Sequence, residues 1–232
     1  MTKLLSVETS SEACSVALSI NGAAIEKFEH APMLHAELIL PMVQSLLAES
    51  GLSLSALDAI AFGRGPGSFT SLRIGIGVVQ GLAWGAELPV VPVSSLAAVA
   101  QVAFERRPGP LISSVCVAMD ARMQEVYSAV FGLSASGLAE PVSAEKVGPP
   151  QAIMMDEPTI DYSSICAAGN GFDRYPEMNE LASAMALCMP DCWPRATAVS
   201  QLANGWLEHN DPLPAALAQP VYIRDKVAEK SA

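Results

Sequence analysis

A tight hairpin at Asn21-Gly22 is the strongest local signal in the chain. Both residue types tolerate positive φ, which a two-residue hairpin turn requires. The segment Cys14–Ile20 before the turn alternates large apolar side chains with small or polar ones, and Ala24–His30 follows the turn. Together with the apolar run Lys3–Val7, these segments predict a three-stranded antiparallel meander at the start of the chain.

After the meander, the pattern changes to alternating helices and strands. Apolar residues recur at helical spacing up to Gly51, a residue type that commonly ends a helix, and they do so again after a glycine-rich turn. Extended apolar segments separate the helices, so an α/β lobe with a mixed sheet is predicted. The predicted elements are helix His35–Gly51, strand Leu57–Phe62, helix Thr70–Gly85, strand Pro89–Val93, and a helix that Ser94 or Ser95 caps and that ends near Arg106.

A second lobe is predicted after Pro108-Gly109-Pro110, because proline and glycine in this order interrupt regular structure. This boundary gives an N-terminal lobe of residues 1–107 and a smaller C-terminal lobe of residues 108–232. The last helix of the second lobe is expected to pack back on the first lobe. The elements predicted in the second lobe are strands Leu111–Met119 and Glu125–Leu133 and a final helix Thr197–His209.

The charge of the chain excludes one class of partner and favours another. The net charge is −11, so the chain alone is not expected to bind nucleic acid, which needs basic side chains along the phosphates. Only 16% of the residues are charged, against about 25% in a typical soluble chain. The mean hydropathy of +0.34 is correspondingly high. This composition favours burial of part of the surface against another subunit.

Membrane insertion, zinc binding and secretion are not predicted. The longest uncharged stretch, Leu88–Phe104, contains two prolines and is shorter than the roughly 20 residues that a bilayer span requires. The five cysteines have no CxxC spacing, and the three histidines form no HExxH motif. We therefore expect a cytoplasmic protein with buried, reduced thiols and no metal site of its own.

The predicted helix Thr70–Gly85 is unusual because glycines recur in it at every fourth position. Gly77, Gly81 and Gly85 each cost about 1 kcal/mol relative to alanine in a helix interior. The other side chains are apolar almost all round, which predicts that the helix is buried on every side. Such a glycine stripe lets another backbone approach closely, and that partner is either the protein's own sheet or a helix of a second subunit.

Other candidate motifs have ordinary structural interpretations beside functional ones. The turn Gly63–Ser68 precedes a helix and could bind an anion, but it matches neither a Rossmann nor a Walker A pattern. Asp120 follows a strand and could bind a metal, whereas an Arg122–Glu125 pair that ties the turn is the structural alternative. A GxSxG motif is absent, which argues against a serine hydrolase.

Several of these segments together resemble the TsaB (YeaZ) family. The resemblance is carried by Gly63-Arg64-Gly65-Pro66-Gly67-Ser68-Phe69-Thr70, Asp120-Ala121-Arg122-Met123, Pro220-Val221-Tyr222-Ile223-Arg224 and Glu8-Thr9-Ser10. It implies a two-lobed α/β fold of the actin-like ATPase (ribonuclease H-like) type with a reduced second lobe. Glu8, Thr9 and Ser10 then correspond to a degenerate first phosphate loop. The family usually has aspartate where Glu8 stands and glycine where Ser71 stands.

The resemblance also implies a function. The chain would be the non-catalytic, dimerising and activating partner of TsaD in the complex, with TsaE, that forms N6-threonylcarbamoyladenosine in tRNAs reading ANN codons. ATP and a metal are expected in TsaD, and a homodimer is expected where TsaD is absent. The first two helices would form the interface, for which we expect Leu38, Met42, Leu46, Leu72, Arg73, Ile76, Gly77, Gln80, Gly81, Trp84 and Gly85.

The alternative hypothesis is an ATP-binding kinase or ATPase with an actin-like fold. It requires acidic side chains that hold magnesium beside the phosphates, and Glu8 and Asp120 are the candidates. A protease is a third hypothesis, but no pair of nucleophile and base in the sequence supports it.

Overall fold

The structure, a computed structural model, describes residues 2–107, 112–153 and 161–224. The first sheet consists of β1 (Lys3–Glu8), β2 (Ala13–Ile20), β3 (Ala23–His30), β4 (Ala59–Gly63) and β5 (Val90–Val93). Their order across the sheet is β3-β2-β1-β4-β5. Strands β1 to β3 form the predicted antiparallel meander, and β4 and β5 run parallel to β1. The predicted mixed sheet is therefore confirmed.

Three helices belong to the first sheet, namely α1 (His35–Ser50), α2 (Phe69–Gly85) and α3 (Ser95–Arg106). Gly51 ends α1 in the left-handed conformation, as predicted. Ser94 is the N-cap of α3, and its hydroxyl accepts a hydrogen bond from the backbone N–H of Ala97. Helices α1 and α2 share one core cluster with the large apolar side chains of β2.

The second sheet comprises β6 (Ser114–Asp120), β7 (Val126–Leu133), β8 (Ala139–Pro141), β9 (Lys146–Gly148), β10 (Ile165–Ala168) and β11 (Leu187–Met189). The main path is β11-β10-β6-β7-β8, and β9 also pairs with β7. The two predicted strands correspond to β6 and β7, whereas the boundary predicted at residues 108–110 lies outside the described residues. The remaining helices are α4 (Gly171–Arg174), α5 (Asn179–Ala184) and α6 (Ala196–Leu207).

Helix α3 lies between the two sheets and is buried on all sides. Every residue from Ser95 to Phe104 is buried, and the surrounding cluster contains side chains from both sheets. Its alanines and valines let strands approach it closely from several directions. The glycine-bearing helix α2 covers one face of the first sheet and keeps an exposed side, so the sheet does not cover the glycine stripe and only the alternative of a second subunit stays open.

Helix α6 lies on the face of the first sheet opposite α1 and α2. It contacts β1 and β2 most closely, and the Ser200 hydroxyl lies 2.6 Å from the Ser6 hydroxyl. Small residues of β2 on this face, Ala13, Ser15 and Ala17, are all buried. Both faces of β2 are therefore covered, one by large apolar side chains and the other by the close approach of a helix.

A carboxylate on β3 holds the start of α6. Glu26 accepts hydrogen bonds from the Arg195 guanidinium at 2.8 Å and from the backbone N–H of Thr197 at 3.1 Å. It also accepts one from the Ser15 hydroxyl at 2.8 Å. This negative group satisfies a backbone donor at a helix N-terminus whose own N-cap residue, Arg195, provides no side-chain cap.

The sequence predicted buried, reduced cysteines and no membrane-spanning helix. All five cysteines are free, and four are buried as expected, but Cys188 is exposed because it lies on the short edge strand β11. Within the parts of the chain that the structure describes, no helix is long and apolar enough to cross a bilayer.

We predict that Glu26→Ala lowers the free energy of unfolding by about 2–3 kcal/mol, since it leaves Arg195 and the N–H of Thr197 without their acceptor. Urea unfolding followed by circular dichroism measures this change. Glu29→Ala, on the same strand but exposed, is the control and should shift the free energy by less than about 0.5 kcal/mol. Equal effects of the two substitutions would contradict a capping role for Glu26.

Candidate functional site

One face of α2 packs on the sheet, and the other is open. Leu72, Ile76, Val79 and Ala83 are buried in the core below the helix. Gly75 is also on this side, and a Cβ added there would clash with the hydroxyl of Thr9. Glycine at position 75 therefore allows α2 to approach the turn after β1, which is a structural reason for this one glycine.

The other three glycines of α2 face open space, as far as the described residues are concerned. A Cβ built on Gly77, Gly81 or Gly85 would meet no atom within 4 Å. At 100° of rotation per residue, these three positions share one face of the helix with Arg73 and Trp84. All five residues are exposed, and 74% of Trp84 is accessible to solvent. We call these five residues the glycine face.

Four residues predicted to face a partner are instead in the chain's own core. Met42, Leu46, Leu72 and Ile76 are each less than 7% exposed, so in this conformation they offer little surface to a second protein. The physical reason is that α1 and α2 both turn their densest apolar stripe toward the first sheet. Of the remaining predicted residues, Leu38 and Gln80 are half-buried, and Gln80 donates a hydrogen bond to the carbonyl of Ala218.

The turn after β1 is a connection between elements rather than an open loop. The Glu8 carboxylate is buried and accepts hydrogen bonds from the N–H of Ser10 at 2.6 Å and the Ser95 hydroxyl at 2.9 Å. A Cβ on Gly63 would overlap this carboxylate, so glycine there makes room for it. The Thr9 hydroxyl donates to the carbonyl of Ser71 at 3.0 Å.

Burial changes the ionisation of Glu8. Loss of hydration raises the pKa of its carboxyl above the ordinary value of 4.5, although hydrogen bonds from Ser10 and Ser95 oppose the rise. The prediction that Glu8 and Thr9 bind a phosphate is not supported by their placement, because both groups are already used inside the protein. Only Ser10 of the three predicted residues lines a cavity, which lies between the two lobes.

Asp120, at the end of β6, is also fully engaged. Its carboxylate accepts a hydrogen bond from the Tyr175 hydroxyl at 2.6 Å and pairs with Arg174 at 3.0 Å and Arg122 at 3.3 Å. The predicted pair between Arg122 and Glu125 does not form. Arg122 pairs with Glu12 at 3.1 Å, and Glu125 pairs with Arg224.

Neither acidic candidate for magnesium binding is free. Across residues 2–107, 112–153 and 161–224, no group of three or more His, Cys, Asp or Glu side chains could hold a metal ion. The partners of Asp120 from the second half of the chain, Arg174 and Tyr175, were not predicted. No local sequence signal marks them, since they are more than 50 residues away from Asp120.

The two sheets, with the strand order of the first and α3 between them, define an α/β protein of the two-lobed, actin-like type. Residues 29–231 match the family model described as "TsaD: tRNA N6-adenosine threonylcarbamoyltransferase". The tRNA threonylcarbamoyladenosine biosynthesis proteins TsaB of Escherichia coli and Haemophilus influenzae are 36% and 38% identical to the chain. Both comparisons cover 98% of this chain, and 97% and 95% of those proteins.

A solved structure, YeaZ from Pseudomonas aeruginosa, agrees with these matches. Its TM-score is 0.85 at 40% identity, and the comparison covers 96% of this chain and 100% of that one. The chain belongs to the TsaB (YeaZ) family, whose curated relatives are tRNA threonylcarbamoyladenosine biosynthesis proteins.

We predict that Glu8→Gln changes how stability depends on pH. Because the pKa of Glu8 is raised in the folded state, the wild-type free energy of unfolding falls as pH rises from about 4.5 through the folded pKa, and it stays lower above that pH. The amide cannot ionise, so the variant lacks this fall and gains stability relative to wild type as pH rises. Urea unfolding from pH 4.5 to pH 8 measures the difference, with exposed Glu29→Gln as the control. Parallel curves for wild type and Glu8→Gln would contradict the prediction.

Proposed function

We propose that the chain is a non-catalytic accessory subunit that docks and activates a TsaD protein through the glycine face. Together with TsaD and TsaE, it would serve the formation of N6-threonylcarbamoyladenosine in tRNAs that read ANN codons, in the cytoplasm. The observation that carries the proposal is the open glycine stripe on α2, which no part of the described chain covers. The family relationship supports a role in tRNA threonylcarbamoyladenosine biosynthesis, and TsaD as the partner is part of the proposal.

The energetics of the helix support a role for the stripe outside the chain. Gly77, Gly81 and Gly85 together destabilise α2 by about 3 kcal/mol relative to alanine. Unlike Gly75, none of them makes room for another described residue of the chain. A partner helix that packs against the stripe would approach the backbone of α2 closely and gain dispersion contacts that alanine or larger residues would prevent.

The residues beside the stripe fit an interface. Exposed tryptophan and arginine are the residue types that most often dominate binding energy, and here Trp84 and Arg73 flank the glycines. Arg73 stacks on the ring of Phe69, with its guanidinium 4.0 Å from the ring centroid, and donates a hydrogen bond to the Tyr222 hydroxyl. In the absence of TsaD, we propose that the same face pairs with a second copy of the chain.

We propose that TsaD, and not this chain, catalyses the reaction. ATP and the metal would bind to that partner, since the buried Glu8 and the fully paired Asp120 leave no free carboxylate for magnesium here. These placements also disfavour the kinase or ATPase alternative. The net charge of −11 argues against direct tRNA binding by this chain alone.

We predict that Gly81→Leu weakens association with the TsaD protein of the same organism at least about tenfold, because the new side chain would hold the partner helix away. Trp84→Ala should weaken association by a similar factor. Calorimetry and size-exclusion chromatography measure binding, and reconstituted tRNA modification with each subunit omitted measures activation. Circular dichroism should be unchanged, since position 81 has room for a side chain.

Gly148→Leu is the matched control, because a Cβ on Gly148 also meets nothing within 4 Å but lies on β9, away from α2. It should bind TsaD as the wild type does. Unchanged affinity of Gly81→Leu and Trp84→Ala for TsaD would refute docking through the glycine face. Full tRNA modification without this chain would refute the accessory role.

A further inference from the structure

A cavity of about 620 Å³ lies between the two lobes, apart from the glycine face. Its walls come from the turn after β1, the start of α2, the residues that follow β6, and the segment Val221–Arg224. The volume falls within the range of about 300–1,000 Å³ that is usual for small-molecule sites. The function proposed above makes no use of this cavity.

Exposed apolar side chains are concentrated at this cavity. Among the described residues, eleven large hydrophobic side chains are exposed, and five of them line it. Phe69 and Tyr222 form an aromatic pair with ring centroids 5.4 Å apart. Apolar surface that stays in contact with water is costly, so such a concentration marks a binding region. The five side chains are Met33, Phe69, Met123, Val221 and Tyr222.

Arginines are concentrated in the same place, although the chain as a whole is acidic. Of the eight arginines in the sequence, Arg122 and Arg224 line the cavity. Arg73 and Arg174 contact residues that line it, namely Tyr222 and Asp120. Half of the arginines in a chain of net charge −11 therefore surround one cavity.

Two of these arginines, Arg224 and Arg73, keep donor nitrogens without an acceptor among the described residues. The Nε of Arg224 is buried and has no hydrogen-bond partner, which is costly unless a ligand supplies an acceptor. Arg73 pairs with no carboxylate among the described residues and retains its terminal nitrogens. Glu12 and Glu125 pair with Arg122 and Arg224, and Asp120 pairs with Arg122 and Arg174, so a bound anion would share these guanidinium groups with the acids.

The backbone at the rim of the cavity has an uncommon conformation. Arg122, Met123 and Gln124 are consecutive residues with φ values of 62°, 54° and 60°. Left-handed backbone at non-glycine residues is strained and is found most often at functional sites. Here the strained run carries Arg122 and Met123, one charged and one apolar side chain of the cavity wall.

We propose that this cavity binds a small organic anion that has an apolar body and one carboxylate or phosphate head, without a metal ion. The head pairs with the guanidinium groups of Arg122 and Arg224, which match a planar carboxylate or a phosphate. The body packs on Phe69, Tyr222 and the methionines. A magnesium nucleotide is a poorer match, because Glu8 and Asp120 have no free oxygen directed to a metal.

Calorimetric titration of the full chain in metal-free buffer tests the proposal, with phenyl phosphate, phenylacetate and inorganic phosphate as separate probes. We expect saturable binding of phenyl phosphate or phenylacetate at one site, and the better of the two identifies the head group. Inorganic phosphate should bind at least about tenfold more weakly, since it lacks the apolar body.

Arg122→Gln and Arg224→Gln should each weaken binding of the better probe by about tenfold or more, through loss of a charge-assisted hydrogen bond. Thr70→Trp adds bulk at an exposed position of the wall, so it should block binding without altering the charges or the core. Arg106→Gln is the control, because Arg106 lies outside the cavity and pairs with Asp191.

Several outcomes would overturn the proposal. One is the absence of saturable binding of either phenyl probe up to about 10 mM, because a specific site would bind its ligand more tightly than that. Another is an affinity for the better probe that Thr70→Trp leaves unchanged. Equal weakening by Arg106→Gln would mean unspecific charge attraction. Tighter, magnesium-dependent binding of ATP would replace the proposed ligand with a nucleotide. None of these outcomes bears on docking through the glycine face.

Discussion

The turn Glu8–Ser10 is the connection on which the arrangement of this protein depends. The buried carboxylate of Glu8 joins β1 to the start of α3, the helix that both lobes share as a core. The next residue, Thr9, bonds to α2 and lies against Gly75, and the carbonyl of Ser10 accepts a hydrogen bond from the N–H of Ser68 at 2.7 Å. A single turn therefore sets where α2 begins, how closely it approaches the sheet, and which of its faces remains open. It also forms one wall of the cavity between the lobes.

Much of the fold could be predicted because its signals are local. The hairpin at Asn21-Gly22, the cap at Ser94 and the end of α1 at Gly51 each depend on residues within a few positions. The exposed side of α2 could not be predicted, since apolar residues surround that helix in the sequence and only the sheet decides which of them are covered. The pairs that join distant segments of the chain could not be predicted from local signals either: Glu26 contacts Arg195, and Asp120 contacts Tyr175.

The glycines of α2 show most clearly what the sequence alone could not predict. In the sequence, Gly75, Gly77, Gly81 and Gly85 form one group of helix-weakening residues. The structure separates them into one residue that permits contact with Thr9 and three that face empty space. Packing within the described chain explains glycine at position 75 but not at positions 77, 81 and 85. The proposed docking of a partner on the open backbone would account for the helix stability that these three glycines cost.

Net charge is a poor guide to the local surface of this protein. The excess of acidic residues describes how the whole chain interacts with a polyanion at a distance. Over a few ångströms, the arrangement of individual ion pairs determines which charged groups a ligand meets. At the interlobe cavity, guanidinium groups that are paired with acids still have spare donors. Arg73 takes part in both surfaces, since it belongs to the glycine face and also contacts Phe69 and Tyr222 at the cavity rim. The first turn of α2 thus lies between the glycine face and the cavity wall.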